Sequence, residues 1–194
     1  MEIKHAKVVM ANRPDLSLLI SSRLSQHYRG GGERDMAEKY LEFKIAHRAF
    51  ACPISQVKEI IEYPMVEPLP LAPQSLLGTM NLRGRLAPVL ELAAILNMES
   101  QPIGKRTCVV VTQSENHEPH QLIGMKVDQV SRVVDIEGKD IETISDLGSA
   151  AALVMGVAKL PQQMLTVLDV SKVLSSHHAQ ELLNHQISSE VIHE

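Results

Sequence analysis

Two histidines three residues apart, His117 and His120, are the side chains whose type and spacing come nearest to a metal site. Glu115 and Glu118 lie beside them, and imidazole and carboxylate groups are ordinary zinc ligands. A metal site also needs a complete ligand set in a rigid frame, and residues 114–120 are polar and loop-like. We therefore interpret this segment as a solvated loop, and we expect the chain to bind no metal or other cofactor.

The other reactive residue types form no catalytic pattern. Cys52 and Cys108 each lie in an apolar run, where burial raises the pKa of a thiol and makes it a poor nucleophile. The glycines at 30–32 precede no Lys-Ser or Lys-Thr pair, so they form no phosphate-binding loop, and no Gly-x-Ser-x-Gly elbow occurs. The sequence therefore predicts a protein that is not an enzyme. A site assembled by folding from dispersed acids and histidines stays open as an alternative.

The overall composition argues against nucleic-acid binding and membrane insertion. The 194 residues have a formal net charge of −4, with no Trp, two Phe and three Tyr. The chain thus lacks both a basic surface and the aromatic side chains on which bases stack. No apolar run reaches the roughly 20 residues of a membrane helix, and residues 1–10 lack the apolar core of a signal peptide. We expect a soluble, cytoplasmic protein, with a nucleic-acid-binding small barrel as the weaker alternative.

Hydrophobic periodicity predicts many short strands. From Tyr40 the pattern alternates, with Leu41, Phe43 and Ile45 on one face and charged residues between them, as in a half-buried strand. Four prolines between residues 64 and 73 require extended backbone that cannot donate to a sheet. Further short apolar runs, separated by turn residues, are typical of small barrels or a sandwich. The sequence thus predicts an all-β fold with short helices and a C-terminal helix.

Residues 76–92 form a predicted β-hairpin with arginines at its turn. Apolar runs flank Arg83, Gly84 and Arg85, and Gly84 tolerates the positive φ of a tight turn. Two interpretations of Arg83 are open from the residues alone. It is either a solvated turn residue or an interface residue, since arginine favours interface ion pairs and forked hydrogen bonds.

Four segments, in order along the chain, resemble the CheW family of adaptor proteins. Residues 76–92 are similar to the family's signature, because they carry the core Asn81-Leu82-Arg83-Gly84 followed by an apolar strand with a proline. The other segments are similar to the family's first hairpin with its Val-x-Glu-Ile stretch, its Gly-x-x-Val-Asp-x-Val strand and its closing hairpin: residues 41–60, 123–130 and 155–170. Together the similar segments cover about residues 40–175.

The resemblance implies an architecture and a domain organisation. It implies two five-stranded SH3-like barrels packed on each other in one domain. We expect residues 1–39 to be a flexible N-terminal arm, since they contain three consecutive glycines. A docking helix in this segment is the alternative. Residues 40–175 are expected to be a CheW-like domain of two intertwined β subdomains, and residues 176–194 a C-terminal helix and tail.

The same resemblance implies a function without catalysis. The chain is expected to be an adaptor that binds the cytoplasmic tips of chemoreceptors and the regulatory domain of the histidine kinase CheA. Receptor conformation would then bias kinase activity through the shared interfaces. Such a protein lies at membrane-associated receptor arrays without entering the membrane. A role in a related motility or surface-sensing pathway is the alternative.

Eight residues match family positions that bind a partner or shape the binding surface. Arg83 matches the motif arginine associated with receptor and array coupling, and Gly78 and Asn81 match positions that shape the segment before it. The other matches are to the exposed strand implicated in receptor contact and to the second-half strand near the groove: Val57 and Glu59, then Val127, Asp128 and Val130. For the last three residues, a core or turn role is equally consistent with the pattern.

Three residues depart from the family pattern. Glu91 and Ala93 replace the Asp and Arg that are common in the family's Val-Asp-Leu-Arg stretch, and Lys126 stands where an apolar residue is usual. The N-terminal arm is also longer than a minimal adaptor needs. These departures bear on which receptor, kinase or pathway the chain serves.

Overall fold

The computed structural model describes residues 7–9, 37–113, 121–144 and 153–173. Over these ranges the chain is mostly β-strand, with one short α-helix, α1 (Leu92–Ile95), and three single-turn 3-10 helices, Ile54–Gln56, Gly138–Asp140 and Val170–Lys172. The strands are β1 (Lys7–Val9), β2 (Glu38–Ile45), β3 (Arg48–Pro53), β4 (Val57–Glu62), β5 (Leu76–Leu82), β6 (Arg85–Glu91), β7 (Cys108–Gln113), β8 (Leu122–Val127), β9 (Gln129–Ile136), β10 (Ile141–Glu142), β11 (Val154–Leu160) and β12 (Gln163–Leu168). The predicted all-β fold is confirmed, whereas the predicted C-terminal helix lies outside the described residues.

The strands form two sheets, which we call the first and second barrels. The order in the first barrel is β1-β4-β7-β8-β6-β5, and in the second it is β10-β11-β12-β3-β2-β9. The chain begins the second barrel with β2 and β3, builds the first with β4 to β8, and returns to complete the second. Each barrel has five main strands, and a short sixth strand, β1 or β10, is added to each. The expected pair of packed five-stranded, SH3-like barrels is thus confirmed.

Two expectations from the sequence concern membrane-spanning helices and the N-terminal arm. No helix in the described ranges is long and apolar enough to cross a membrane. Within the segment expected to be a flexible arm, Lys7–Val9 forms β1 and Glu38 begins β2. Residues 10–36 lie outside the described residues.

Strand β2 follows the predicted alternation with one exception. Leu41, Phe43 and Ile45 are buried as expected, and Phe43 stacks on Phe50 with ring centroids 6.2 Å apart. Glu42 was expected on the polar face with solvent, but it is also buried. Its carboxylate accepts hydrogen bonds from Arg132 Nε at 2.9 Å and Gln163 Nε2 at 3.0 Å. These donors come from strands distant in sequence, so a local pattern does not reveal them.

The described residues form three apolar clusters, one of which joins the two barrels. One fills the interior of the first barrel, a second fills that of the second barrel, and a larger central cluster takes side chains from both. Strand β7 contributes to two of them: Val109 and Val111 face the first barrel's interior, and Cys108 and Val110 face the central cluster. Because both of its faces are buried, β7 is apolar without alternation.

A glutamine joins the two barrels through its side-chain amide. Gln56, just before β4, donates from Nε2 to Asp169 Oδ1 at 2.8 Å and accepts from the backbone N–H of Val170 at 2.9 Å. Burial raises the pKa of the Asp169 carboxyl, but hydrogen bonds from Ser171, Lys172 and Gln56 outweigh it, and the net pKa is lowered. Asp169 therefore stays charged as an acceptor at neutral pH.

A buried ion pair explains two of the departures from the family pattern. Glu91 on β6 and Lys126 on β8 are register partners, and Lys126 Nζ donates to Glu91 Oε2 at 2.8 Å. The side chains are only 5% and 2% exposed, respectively. Lys126 Nζ also donates to the Gln101 carbonyl oxygen at 2.9 Å. The unusual lysine is thus the counter-charge of the unusual glutamate.

Removing one partner of this pair is expected to destabilise the fold. Lys126→Met leaves the Glu91 carboxylate buried without a cation, so the free energy of unfolding should fall by about 3–5 kcal/mol. Lys126→Met combined with Glu91→Gln removes both charges and should regain most of that loss, because a neutral amide needs no counter-ion. Urea unfolding followed by circular dichroism measures both values.

Lys159→Met is the matched control for this prediction. The Lys159–Glu142 pair lies at the surface, with side chains 58% and 63% exposed, so its loss should change stability by less than about 0.5 kcal/mol. If Lys126→Met were as stable as the wild type, the buried pair would have no structural role. If the double variant were as unstable as the single one, unpaired charge would not be the cause.

Candidate partner-binding surface

The turn between β5 and β6 presents Arg83 at its tip. Leu82 and Arg85 are the last paired residues, so Arg83 and Gly84 form a two-residue loop with φ values of 54° and 82°. Positive φ at both positions is typical of a type I′ hairpin turn, whose twist matches that of the strands. Asn81 Oδ1 accepts a hydrogen bond from the Gly84 N–H at 2.8 Å. Asn81 thus stabilises the turn, and Gly84 was predicted correctly as its glycine.

An ion pair holds the Arg83 side chain. Arg83 Nη2 donates to Glu59 Oε2 at 2.6 Å, and the Arg83 side chain is 60% exposed whereas that of Glu59 is 8% exposed. Glu59 lies on β4, and among the five main strands of the first barrel β4 and β5 are the two outer ones. The pair therefore links the β5–β6 turn to the other outer strand of this sheet, and we call the gap that it bridges the seam. It brings together two of the predicted site residues.

An exposed apolar residue lies next to this arginine. Leu86 is 72% exposed, and it is the register partner of Asn81, which is also exposed. Cross-strand partners share one face of a sheet, so the two side chains point outward together. We call the group Asn81, Arg83 and Leu86 the hairpin surface. It combines cationic and apolar groups, which suits a partner with acidic and apolar side chains.

Gly78 has a steric role in the same hairpin. Its φ is 143°, and a Cβ atom there would lie 2.1 Å from the Glu67 carbonyl oxygen. Glu67 and Thr79 exchange two backbone hydrogen bonds of 2.8 Å, which attach the proline-rich segment to β5. The expectation that this segment cannot donate to a sheet is therefore wrong at Glu67, which is not a proline. Gly78 thus allows the segment at Glu67 to approach β5 closely, which fixes the hairpin strand that leads to the Arg83 turn.

The valines predicted at the site are buried. Val57, Val127 and Val130 all belong to the central cluster between the barrels. Their side chains do not reach the surface, so the structure favours the core role for Val127 and Val130. Contact between these three residues and a partner stays a prediction.

Asp128 is placed in a turn between the barrels. Its Oδ2 accepts a hydrogen bond from the Ala46 N–H at 2.7 Å, and its own N–H donates to the Lys44 carbonyl oxygen at 3.0 Å. These bonds attach the β8–β9 junction to the β2–β3 turn, where Ala46 has a positive φ of 46°. The contacts favour the turn role that the pattern left open.

The described cysteine, histidine and acidic side chains are the remaining candidates for a nucleophile or for metal ligands. Burial raises the pKa of the Cys52 thiol to about 12, so this thiol is protonated at neutral pH. Within the described ranges, no group of three or more His, Cys, Asp or Glu side chains is placed to hold a metal ion. The segment with His117 and His120 lies outside those ranges.

Two features of the surface were missed from the sequence. Leu86 looks like an ordinary strand residue, and its exposure follows only from its register opposite Asn81. The pairing of Glu59 with Arg83 joins residues 24 positions apart. The sequence did contain a signal for the Glu59–Arg83 pair. An acid at a buried strand position needs a cation, and Arg83 is a cation at a predicted turn.

Comparisons with known proteins identify relatives over most of the chain. The family model for the CheW-like domain matches residues 39–178. A chemotaxis protein CheW from Rhizobium meliloti is 27% identical over 154 residues, which cover 78% of this chain and 94% of that protein. A chemotaxis protein CheW from Treponema pallidum is 27% identical over 151 residues, which cover 73% of this chain and 85% of that protein.

A solved structure has the same fold. The crystal structure of the scaffolding protein TtCheW from Thermoanaerobacter tengcongensis superimposes with a TM-score of 0.67 at 22% identity, covering 78% of this chain and 96% of that one. The fold and the matched residues thus define an all-β domain of two packed barrels with an exposed hairpin arginine. The chain belongs to the CheW-like domain family. The resemblance noted from the sequence is confirmed.

The close approach at Gly78 leads to a stability prediction. Gly78→Ala should destabilise the protein by more than the roughly 1–3 kcal/mol that backbone strain alone costs, because the new methyl group overlaps the Glu67 carbonyl. Gly84→Ala is the matched control, since φ there is 82° but no atom lies within 4 Å of the added Cβ. Thermal unfolding of both variants measures the difference. Equal losses of stability would show that the contact with Glu67 is unimportant.

Proposed function

We propose that this protein is a non-catalytic adaptor that binds the cytoplasmic tips of chemoreceptors and the regulatory domain of the histidine kinase CheA. The observation that carries the proposal is the placement of Arg83, the arginine of the family's hairpin motif. It is exposed at the tip of a two-residue turn and oriented by a buried carboxylate. Membership of the CheW-like family and relatives named as chemotaxis proteins support it.

The hairpin surface fits one side of such an adaptor. An arginine held by an ion pair has lost part of its side-chain freedom before binding, so less entropy is lost when a partner docks. Its guanidinium group still has further N–H donors for a carboxylate on the partner. Leu86 beside it supplies apolar area that is exposed in the absence of a partner. We infer that this surface contacts an acidic and apolar stretch of the receptor tip.

Two packed barrels also give the chain a way to couple two partners. The central cluster and the Gln56 hydrogen bonds join the two barrels directly, so the barrels are packed together and not connected by a linker alone. A partner bound to one barrel can therefore alter binding at the other, provided that the two arrangements differ in energy. In the proposed role, receptor and kinase bind the same molecule, and the adaptor works in the cytoplasm at receptor arrays.

Arg83→Glu is the variant that tests the proposal. It places a second acid against the Glu59 carboxylate and inverts the charge presented to the partner. We expect a folded protein whose affinity for a chemoreceptor tip fragment falls at least tenfold, which corresponds to about 1.4 kcal/mol. We also expect loss of the ternary complex with the CheA regulatory domain. Calorimetry measures the affinity, and co-sedimentation measures the complex.

Arg132→Glu is the matched control. Arg132 is also 60% exposed and also pairs with a buried glutamate, Glu42, at 6% exposure. It lies on the second barrel, away from the hairpin surface, so receptor affinity should stay at the wild-type value. A folded wild-type protein that binds neither receptor fragment nor kinase domain would contradict the proposed function. Wild-type affinity in Arg83→Glu would contradict the role of Arg83 alone.

A further inference from the structure

The outer edge of β4 is open to pairing with a further extended segment. Among the five main strands of the first barrel, β4 is the outermost at one end. One side of β4 pairs with β7, and none of the other main strands pairs with its other side. The other side presents backbone N–H and C=O groups that a further strand can pair with. Extended segments often bind proteins by adding a strand to such an edge. We call this side of Glu59–Ile61 the β4 edge.

The strand that occupies this edge comes from outside the family domain. β1 pairs with β4 in parallel, with Lys7 opposite Glu59, Val8 opposite Ile60 and Val9 opposite Ile61. The match to the CheW-like domain begins at residue 39. The pairing is therefore an addition that this chain makes to the domain through its own N-terminal segment.

The position of β1 overlaps the seam that carries Arg83. Lys7 is the register partner of Glu59, the residue whose carboxylate holds the Arg83 guanidinium. Paired strands lie about 4.8 Å apart, so β1 runs directly beside the strand that forms one side of the seam. A partner that contacts both Glu59 and the hairpin surface would have to share this space with β1.

The pairing is also of a kind that a partner can displace. It spans three residues, whereas strands usually have about five or six. Parallel pairing is slightly less stable per residue than antiparallel pairing. Because β1 is tethered to the same chain through residues 10–36, its docking does not depend on protein concentration. Competition with a partner is then set by the partner's own concentration and affinity.

We propose that Lys7–Val9 is an intramolecular strand that covers the β4 edge and competes with partner binding at the neighbouring hairpin surface. This proposal deepens the function proposed above and rests on it for the identity of the partner. The N-terminal segment thereby lowers the apparent affinity of the adaptor by the fraction of molecules in which β1 is docked.

Hydrogen exchange tests the docking of β1 without any partner. Val8→Pro combined with Val9→Pro removes two consecutive N–H donors. Consecutive N–H groups of a strand point to opposite edges, so one of the two lost donors must be the one that faces β4. Amides of the β4 edge that face β1 should exchange at least tenfold faster in this variant. Amides of β4 that face β7 should keep their protection. Gly31→Pro with Gly32→Pro is the control, because it leaves β1 unchanged.

Two results of the exchange experiment would overturn the proposal. Equal exchange of the β4 amides in the wild type and the double-proline variant would mean that β1 does not protect the edge. Protection that weakens on dilution of the wild type would mean that β1 docks on a second copy of the chain. Concentration-independent protection that is lost in the variant supports docking within one chain.

Binding to a chemoreceptor tip fragment tests the competition. We expect the double-proline variant to bind roughly three- to tenfold more tightly than the wild type, as the docked fraction is removed. Equal affinity with an unprotected β4 edge would overturn the competition and leave the adaptor function standing. Binding by neither protein would contradict both the competition and the proposed function, while the exchange rates would still decide whether β1 docks.

Discussion

The arrangement of the hairpin surface depends on the ion pair between Arg83 and a carboxylate that folding has buried. Glu59 is held on β4 with little access to water, so it needs a cation, and the β5–β6 turn supplies one across the seam. The turn has only two residues, and Asn81 closes it, which leaves the arginine few alternative positions. The same contact therefore joins the ends of the first barrel and orients the group that we propose for partner binding.

Buried glutamates paired with cations recur in both barrels. The pairs are Glu59 with Arg83, Glu42 with Arg132 and Glu91 with Lys126. In the first two the cation is an exposed arginine, which can still donate to another molecule, whereas Lys126 is buried. The lysine pair therefore stabilises the inside of the domain, and the arginine pairs lie where a partner could reach them. Glu91 keeps the negative charge of the family's Asp, so the departure adds one internal cation, Lys126, which pairs with that acid.

Most of the fold follows from local sequence, but the site needs the long-range register. Alternation predicted β2, and the glycine at position 84 predicted the hairpin, because both signals come from neighbouring residues. The burial of Glu42 and the pairing of Glu59 with Arg83 depend on strands that are distant in the sequence. β1 has three residues, which is too short for a period to be recognised. A family motif also does not distinguish surface from core positions, so the burial of Val127 and Val130 in the central cluster could not be predicted from it.

Receptor binding at the hairpin surface is tested most directly by a map of the amide chemical shifts that change when a chemoreceptor tip fragment binds the labelled protein. We expect changes concentrated in residues 81–86 and on β4, with amides of the second barrel's β11 and β12 largely unaffected. Changes confined to β11 and β12, with the β5–β6 turn unperturbed, would contradict the assignment of Arg83 and its neighbours as the receptor-binding surface.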